Sequence, residues 1–478
     1  MDYSQFLNMP QELGLLLVFL LVFLYDLFLP KKTQCGLAAF TAVVFGVFTI
    51  AAPFFTAAPA FSGMFEGNTA TSAVKCVLNI GMLIVLVQSV KWANSEFITV
   101  RRGEFYSLLL VTLLGMYFMV SARHFLLFII GLEMASLPIA ALVAFDKRRY
   151  ESHEAAAKYL FTAIFSSAVL LMGLSFVYAL SGSLYFDDIA YCVIGDTGAL
   201  LIVALAFVIA GIGFKLSLVP FHLWTADVYQ GAPTSVTSYL SVISKGAAAF
   251  SFLVVLSQAF GAVYSQVWEW MLYALIILTI TIGNLFAIRQ TNLKRFLAFS
   301  SISQAGYIVL GVIACSALGM TSLMFYVLVY IFSNLAAFGV IQAIENNCGK
   351  VNIDDYNGLY KTNPMLSVAM MLAMFSLAGI PPFAGFFSKF FIFTSALQAG
   401  TVSMYVLVLI ALINTIVSLY YYLLVVKAMF IHQDDCVIAP FKSALSERIA
   451  LLVCVIGIIL IGIVPFFYTF LEAAAVLA

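Results

Sequence analysis

The stretch Gly211-Ile-Gly-Phe-Lys-Leu-Ser-Leu-Val-Pro-Phe-His-Leu-Trp224 decides the fold, and it has a near-twin at Ser376-Leu-Ala-Gly-Ile-Pro-Pro-Phe-Ala-Gly-Phe-Phe-Ser-Lys-Phe390. Both lie inside long apolar segments, and each combines a glycine–proline interruption with one lysine, Lys215 or Lys389. Because proline removes a helical hydrogen bond and clashes with the preceding turn, each segment is predicted to be a broken helix. The predicted break residues are Pro220, Pro381 and Pro382.

The composition is that of a membrane protein. Of 478 residues, 64% are hydrophobic and only 9% are charged, whereas a soluble domain has about 25% charged residues. We therefore predict an all-α polytopic membrane protein that lies in a lipid bilayer. The net charge is zero, with 22 basic and 22 acidic residues, so nothing favours a nucleic-acid partner. The seven cysteines form no C-x-x-C pair and no cluster with histidine, and no metal site is predicted.

The apolar segments predict about fourteen spanning helices, since each crossing needs roughly 20 apolar residues. The predicted helices are 11–29, 36–56, 72–92, 105–121, 124–145, 155–181, 198–230, 233–256, 264–287, 296–315, 318–344, 364–398, 401–430 and 446–474. The seventh and the twelfth contain the two breaks.

The basic residues predict the orientation, because lysine and arginine concentrate in cytoplasmic loops. If the N-terminus is outside, Arg123 is the only basic residue in the predicted outer loops. The outer loop 182–197 contains three aspartates and no lysine or arginine. We therefore expect both termini outside. The predicted inner basic residues are Lys31, Lys32, Lys91, Arg101, Arg102, Lys147, Arg148, Arg149, Arg289, Lys294, Arg295, Lys350, Lys361, Lys427, Lys442 and Arg448.

The two breaks also predict an internal repeat. They lie five helices apart, and because five is odd, the second unit must be inverted relative to the first. The predicted units are an N-terminal part at 1–104, a first five-helix repeat at 105–256, an inverted second repeat at 257–431, and a C-terminal helix at 432–478.

Ionisable residues inside these helices are candidates for a proton relay. They are Glu133, Lys158, Lys215, Lys245 and Lys389. Burial disfavours the charged form of a side chain and an opposite charge favours it, so a buried Glu–Lys pair whose geometry changes can release or take up a proton. The alternative is a structural ion pair between Glu133 and Lys215. Lys158 has a second interpretation, in which its side chain extends to the inner surface.

Two further residues have less specific interpretations. His222 follows Pro220 and could extend the relay as a secondary member, or it could hydrogen-bond carbonyls freed at the break. Lys75 begins the third helix near the outer surface, where its side chain is expected to reach solvent. The predicted helix 296–315 has a serine-rich face that includes Ser301 and Gln304. This face could hold water between the two halves of the chain, or it could form interhelical hydrogen bonds.

Several stretches together resemble the antiporter-like membrane subunits of bacterial respiratory complex I, the proton-translocating NADH–quinone oxidoreductase. They are Gly131-Leu-Glu-Met-Ala-Ser-Leu-Pro138, Glu154-Ala-Ala-Ala-Lys-Tyr-Leu160, 214–237, 289–307 and 377–389. The resemblance covers nearly the whole chain. Within this family, residues 227–234, residues 289–295 and a lysine rather than a glutamate at position 389 favour one particular member.

The resemblance implies roles for four residues. Glu133 and Lys215 would be a coupled pair, Lys245 the central relay lysine, and Lys389 the group that exchanges protons with the outside. It also implies that this chain holds no cofactor, because NADH, FMN, iron–sulfur clusters and quinone would bind to partner subunits. Those partners would include further antiporter-like subunits in the bacterial cytoplasmic (inner) membrane.

Three alternatives share the same sequence features. The first is a subunit of a multisubunit cation/proton antiporter. The second is a related complex that takes electrons from ferredoxin or formate. The third is a scaffold whose intramembrane charges only hold partner subunits together.

Overall fold

The computed structural model describes residues 3–28, 36–95, 98–196, 198–263, 267–431 and 438–476. Lys31 and Lys32 of the predicted first inner loop lie outside the described residues. The α-helices are α1 (Pro10–Phe28), α2 (Leu37–Ala51), α3 (Thr69–Ala93), α4 (Arg102–Ser121), α5 (Phe125–Met134), α6 (Leu137–Val143), α7 (Tyr150–Ser181), α8 (Phe186–Cys192), α9 (Ala199–Leu216), α10 (Leu223–Gly231), α11 (Thr234–Tyr239), α12 (Lys245–Val254), α13 (Glu269–Ile288), α14 (Leu293–Ile313), α15 (Ala317–Cys348), α16 (Leu359–Thr362), α17 (Pro364–Ala378), α18 (Ala384–Leu397), α19 (Val402–Phe430), α20 (Leu445–Ile463) and α21 (Phe466–Val476).

The helical membrane fold predicted from composition is confirmed. Within the described residues, thirteen helical segments are long and apolar enough to cross a membrane. The predicted twelfth span consists of two shorter helices, α17 and α18, on either side of the expected break. The predicted helix 446–474 is wrong in its second half, because α20 ends at Ile463 and a separate helix, α21, begins at Phe466 after Pro465.

Two helices occupy the centre of the bundle. Every residue is buried in an 18-residue apolar stretch of α14 and in one of α15, whereas only 28% of the residues are buried in such stretches of α1 and α7. A spanning helix that is covered on all sides by other helices can carry polar side chains, since those side chains meet protein rather than lipid. The serine-rich face of α14 therefore lies in the protein interior.

The first predicted break lies between α9 and α10. Helix α9 ends at Leu216, and Ser217 follows with a positive φ of 62°. The amide of Leu218 donates to the carbonyl of Gly213 at 2.8 Å, and the amide of Val219 donates to the Thr279 hydroxyl at 3.0 Å. These two bonds satisfy backbone amides that the break frees from the helix, one within the break and one from α13, as buried irregular backbone in a membrane requires. The Val219–Pro220 peptide is cis.

The second predicted break lies between α17 and α18. Helix α17 ends at Ala378, where Gly379 adopts a left-handed φ of 88°. The amide of Ile380 returns to the carbonyl of Phe375 at 3.0 Å, but the carbonyls of the last turn remain available for other donors. The Pro381–Pro382 peptide is cis.

Two departures from regular helix lie next to candidate residues. The predicted helix 124–145 is divided, because α5 ends at Met134 and α6 begins at Leu137, with Pro138 in its first turn. Glu133 is therefore the second-last residue of α5. Wide π-helical turns at Leu240–Ser244 and Val255–Ala259 flank α12, so Lys245 begins α12 at a π-turn, a feature that occurs often at functional sites.

Candidate functional site

Lys245 is buried between the two halves of the chain. It is 1% exposed, and its ammonium donates to the Ser301 hydroxyl at 2.7 Å and to the Ser301 carbonyl at 3.2 Å. The same ammonium lies 5.7 Å from the centre of the Tyr229 ring. In the described residues no carboxylate lies within ion-pair distance of it. Both hydrogen-bond acceptors of Lys245 are thus neutral groups of Ser301 in α14.

Lys389 is held by the broken end of α17. It is 5% exposed, and its ammonium donates to the carbonyls of Leu377 and Ala378, each at 3.0 Å. These are carbonyls of the last turn of α17, where the helix dipole is negative and favours a cation. The ring of Tyr307 lies 5.1 Å from the ammonium. The carbonyls left free at the second break therefore bind Lys389 of α18.

Gln304 connects the two lysines through α14. Its amide nitrogen donates to the carbonyl of Leu377 at 3.2 Å, and this carbonyl is the one that also accepts from Lys389. Gln304 lies one turn after Ser301, the partner of Lys245. The interhelical hydrogen bonds expected for this face of α14 are present.

A small polar cavity lies beside Lys389. Its volume is about 10 Å³, close to the space that one water molecule occupies. Gln304, Ser333, Ser388 and Lys389 contribute to its lining. A water here would have several hydrogen-bonding partners, which is what a buried water requires.

Lys215 lies at the end of α9, immediately before the first break. It is 5% exposed, and its ammonium is 3.4 Å from the hydroxyl of buried Tyr159. Glu133 is near enough to interact electrostatically with both Lys215 and Tyr159. The described structure contains no direct ion pair between Glu133 and Lys215. The predicted partners are thus neighbours that do not touch in this conformation.

The first break also holds His222 and two buried hydroxyls. His222 is 9% exposed and precedes α10, close to the backbone of Pro220. The hydroxyls of Ser217 and Thr225 are buried, and neither has a hydrogen-bond partner among the described residues. Because buried polar groups usually bind water when protein partners are lacking, this break is suited to hydration.

Lys158 lies in a different environment from the other candidates. It is 42% exposed, and its ammonium contacts Glu154 and Asp227, both at 2.7 Å. Asp227 also accepts from Arg295 at 2.6 Å, which links α7, α10 and α14. The structure places Lys158 in an exposed ion-pair cluster, apart from the buried lysines, and its role in a relay remains a prediction.

The sequence did not predict the buried ion pair that Lys294 forms. Lys294 was predicted to lie in an inner loop, which is wrong, because it is the second residue of α14 and is 1% exposed. Its ammonium lies 3.2 Å from Glu345, which Arg149 also contacts at 2.9 Å. Asn292 is the sequence feature that could have revealed this error. Asparagine is a preferred N-cap residue, and Asn292 caps α14, which begins three residues earlier than predicted.

The expectation that Lys75 reaches solvent is also wrong. Lys75 is 0% exposed and forms an ion pair with buried Glu12 at 2.6 Å. The rings of Phe65 and Tyr117 lie 5.1 Å and 5.5 Å from its ammonium. Helix α3 begins at Thr69, with Asn68 as its cap, so Lys75 lies deeper in the helix than predicted.

The described residues contain no group of three or more His, Cys, Asp or Glu side chains that could hold a metal ion. The polar groups of the site are lysines, hydroxyls, amides and carbonyls. These groups can bind and pass protons or order water.

Comparison with known proteins identifies the class. Residues 122–418 match the family described as NADH:quinone oxidoreductase/Mrp antiporter, TM. The chain is 53% identical, over 100% of both sequences, to the NADH-quinone oxidoreductase subunit N of Phocaeicola vulgatus. A chain of respiratory complex I from Thermus thermophilus with bound aureothin superimposes with a TM-score of 0.80 at 30% identity, covering 95% of this chain and 97% of that one.

A chain of the Mrp complex from Dietzia superimposes with a TM-score of 0.82 at 21% identity over 100% of this chain and 98% of that one, which shows a shared fold. The chain belongs to the NADH:quinone oxidoreductase/Mrp antiporter transmembrane family. Within it, the chain belongs with the NADH-quinone oxidoreductase subunits N, the member that residues 227–234 and Lys389 favour. The resemblance stated from the sequence is confirmed.

Proposed function

We propose that Lys215, Lys245 and Lys389 carry protons through this chain, which is the proton-translocating subunit N of a membrane NADH–quinone oxidoreductase. The observation that carries the proposal is the line of contacts along α14. Lys245 donates to Ser301, and one turn later Gln304 shares the Leu377 carbonyl with Lys389. This arrangement supports proton passage between the two breaks.

The chemistry of the route follows from neutral acceptors. Burying a charge is costly unless it is paired or well hydrogen-bonded. Lys245 and Lys389 are held by hydroxyls and carbonyls, so small changes in those contacts alter the balance between the ammonium and the neutral amine. Water at the cavity beside Lys389 would pass the proton between groups that do not touch.

Glu133 would control the first step. A nearby carboxylate favours the charged form of a lysine, and withdrawing it favours release of the proton. Glu133 lies beside the gap between α5 and α6, where the helix is already interrupted. A shift of this segment would change the distance to Lys215. Coupling would thus consist of moving one charge relative to another.

The repeat and the orientation belong to the same proposal. Helices α4 and α5 pack against each other as α13 and α14 do, and α7 packs on broken α9 as α15 packs on broken α17 and α18. This parallel supports two related five-helix units, the second inverted, with both termini outside. Partner membrane subunits would lie beside them, and NADH, FMN, iron–sulfur clusters and quinone would bind elsewhere in the complex, with no cofactor in this chain.

A purification tests the function. The chain is tagged, its membrane is solubilised in mild detergent, and the co-purifying assembly is assayed for NADH–quinone reductase activity. We expect a large complex whose reductase activity co-migrates with the tag and pumps protons after reconstitution. A small complex without redox activity, driving sodium-dependent proton flux, would overturn the assignment in favour of an antiporter.

A further inference from the structure

An apolar groove opens between the starts of α17 and α20, away from the buried lysines. Its volume is about 580 Å³. Its walls include Met365, Val368 and Leu452, which are 79%, 37% and 57% exposed. Arg448, in the first turn of α20, stands at the same groove. The groove thus pairs apolar walls with one cation at its end.

We propose that this groove binds an anionic phospholipid, with its phosphate on Arg448 and an acyl chain between α17 and α20. The proposal is independent of the proton route, because none of the lining residues belongs to it.

The charge of Arg448 is available to a ligand. In the part of the chain that the structure describes, its guanidinium has no hydrogen-bond or ion-pair partner. The adjacent Glu447 does not neutralise it, because Glu447 is 2% exposed and faces the protein. Its carboxylate accepts from the side chain of Asn346 at 3.1 Å and from the amide of Ala444 at 3.0 Å. Arginine binds phosphate oxygens well because its planar guanidinium presents several donors.

The mouth of the groove is built by a fixed loop. The side-chain amide of Asn363 donates to the carbonyl of Ala439 at 3.3 Å, and its oxygen accepts from the amide of Phe441 at 3.3 Å. These bonds hold the segment before α20 against the start of α17. Lys361 and Lys442 are also exposed, but neither lines the groove, so Arg448 is its one lining cation.

The depth of the groove fits a lipid tail. The lining residues run along α20 from Arg448 to Val455, a helical length of roughly 10 Å. One leaflet contributes about 15 Å of hydrocarbon. The apolar walls therefore follow an acyl chain for about two-thirds of a leaflet while Arg448 stays at headgroup level. Charge complementarity selects an anionic lipid over a zwitterionic one.

The test uses the intact complex in nanodiscs that contain a photoactivatable phosphatidylglycerol with a diazirine in its acyl chain. A parallel sample contains phosphatidylcholine with the same chains. Labelled peptides are mapped by mass spectrometry. We expect labelling at 362–369 and 448–455 about fivefold stronger with the anionic lipid, the preference that one cation supplies.

Two variants and two controls sharpen the test. Arg448→Gln should remove the preference, whereas Lys442→Gln, which alters a cation outside the lining, should keep it. Leu452→Trp should reduce labelling by both lipids because it fills the groove, whereas Ile449→Trp on the same helix should not. Equal labelling by the two lipids, equal loss in Lys442→Gln, or a partner subunit cross-linked in the groove would overturn the proposal.

Discussion

Gln304 and Lys389 donate to the same acceptor, the carbonyl oxygen of Leu377, at 3.2 Å and 3.0 Å. A side chain of α14 and a lysine of α18 thus meet at the broken end of α17. Because α14 also carries Ser301, the partner of Lys245, we infer that a displacement of the break would reach both lysines through this helix. In the proposed relay, this shared carbonyl would couple the centre of the chain to its second break.

Replacing Gln304 tests that connection. Gln304→Leu removes the bond to the Leu377 carbonyl together with the bonds to the Tyr422 and Tyr326 hydroxyls, and we expect the pumping rate to fall by about tenfold, the effect of losing buried hydrogen bonds worth about 1 kcal/mol or more in total. Tyr326→Phe is the matched control, because it removes only the hydroxyl that donates to the Gln304 oxygen. Equal pumping by the two variants would argue against the connection.

Gly385 sets the spacing between the two halves of the broken helix. A Cβ atom at this position would overlap the Ser376 carbonyl oxygen, so Gly385→Ala must displace α18 and with it Lys389. We expect a clear loss of proton pumping in reconstituted vesicles. Gly46→Ala should have little effect, since its Cβ would meet Leu83 at an ordinary 3.6 Å. Normal pumping by Gly385→Ala would show that this close contact is not needed.

The Glu12–Lys75 pair is predicted to stabilise the packing of α1 on the bundle. Lys75→Met leaves the buried Glu12 carboxylate unpaired, which we expect to cost about 3–5 kcal/mol. The double variant Glu12→Gln with Lys75→Met should recover much of that loss, because both charges are removed. Thermal unfolding of the purified complex measures the effect. A double variant no more stable than Lys75→Met would contradict the ion-pair account.

Two native cysteines test the orientation. Cys192 and Cys348 are both exposed, and the predicted topology places Cys192 outside and Cys348 inside. In variants that retain only one of them, a membrane-impermeant maleimide should label Cys192 in intact spheroplasts and Cys348 only in inverted vesicles. The reverse labelling pattern would show that the chain has the opposite orientation in the membrane.

Local chemistry explains what the sequence could predict. The long apolar runs identify the spans, and the effect of proline on a helix locates the breaks at Pro220 and Pro382. A lysine in an apolar run is conspicuous wherever it lies, so Lys215, Lys245 and Lys389 could all be found. Each of these predictions uses residues adjacent in the chain.

Tertiary contacts explain what the sequence could not predict. Ser301, the acceptor for Lys245, lies 56 residues away in sequence, and no local pattern connects the two. Lys294 and Lys75 looked like boundary residues, because their partners Glu345 and Glu12 come from distant helices. An error of three residues in the start of α14 was enough to place a buried lysine in a loop.

Proton pumping by Lys245→Met is the measurement that tests the central claim most directly. The complex is purified, reconstituted in liposomes and assayed for proton uptake during NADH oxidation, beside Lys147→Met, which alters an exposed loop lysine. We predict an assembled Lys245→Met complex whose pumping falls by about tenfold or more, as when a proton-transfer group is removed, and a Lys147→Met complex like the wild type. Wild-type pumping by an assembled Lys245→Met complex would contradict the relay.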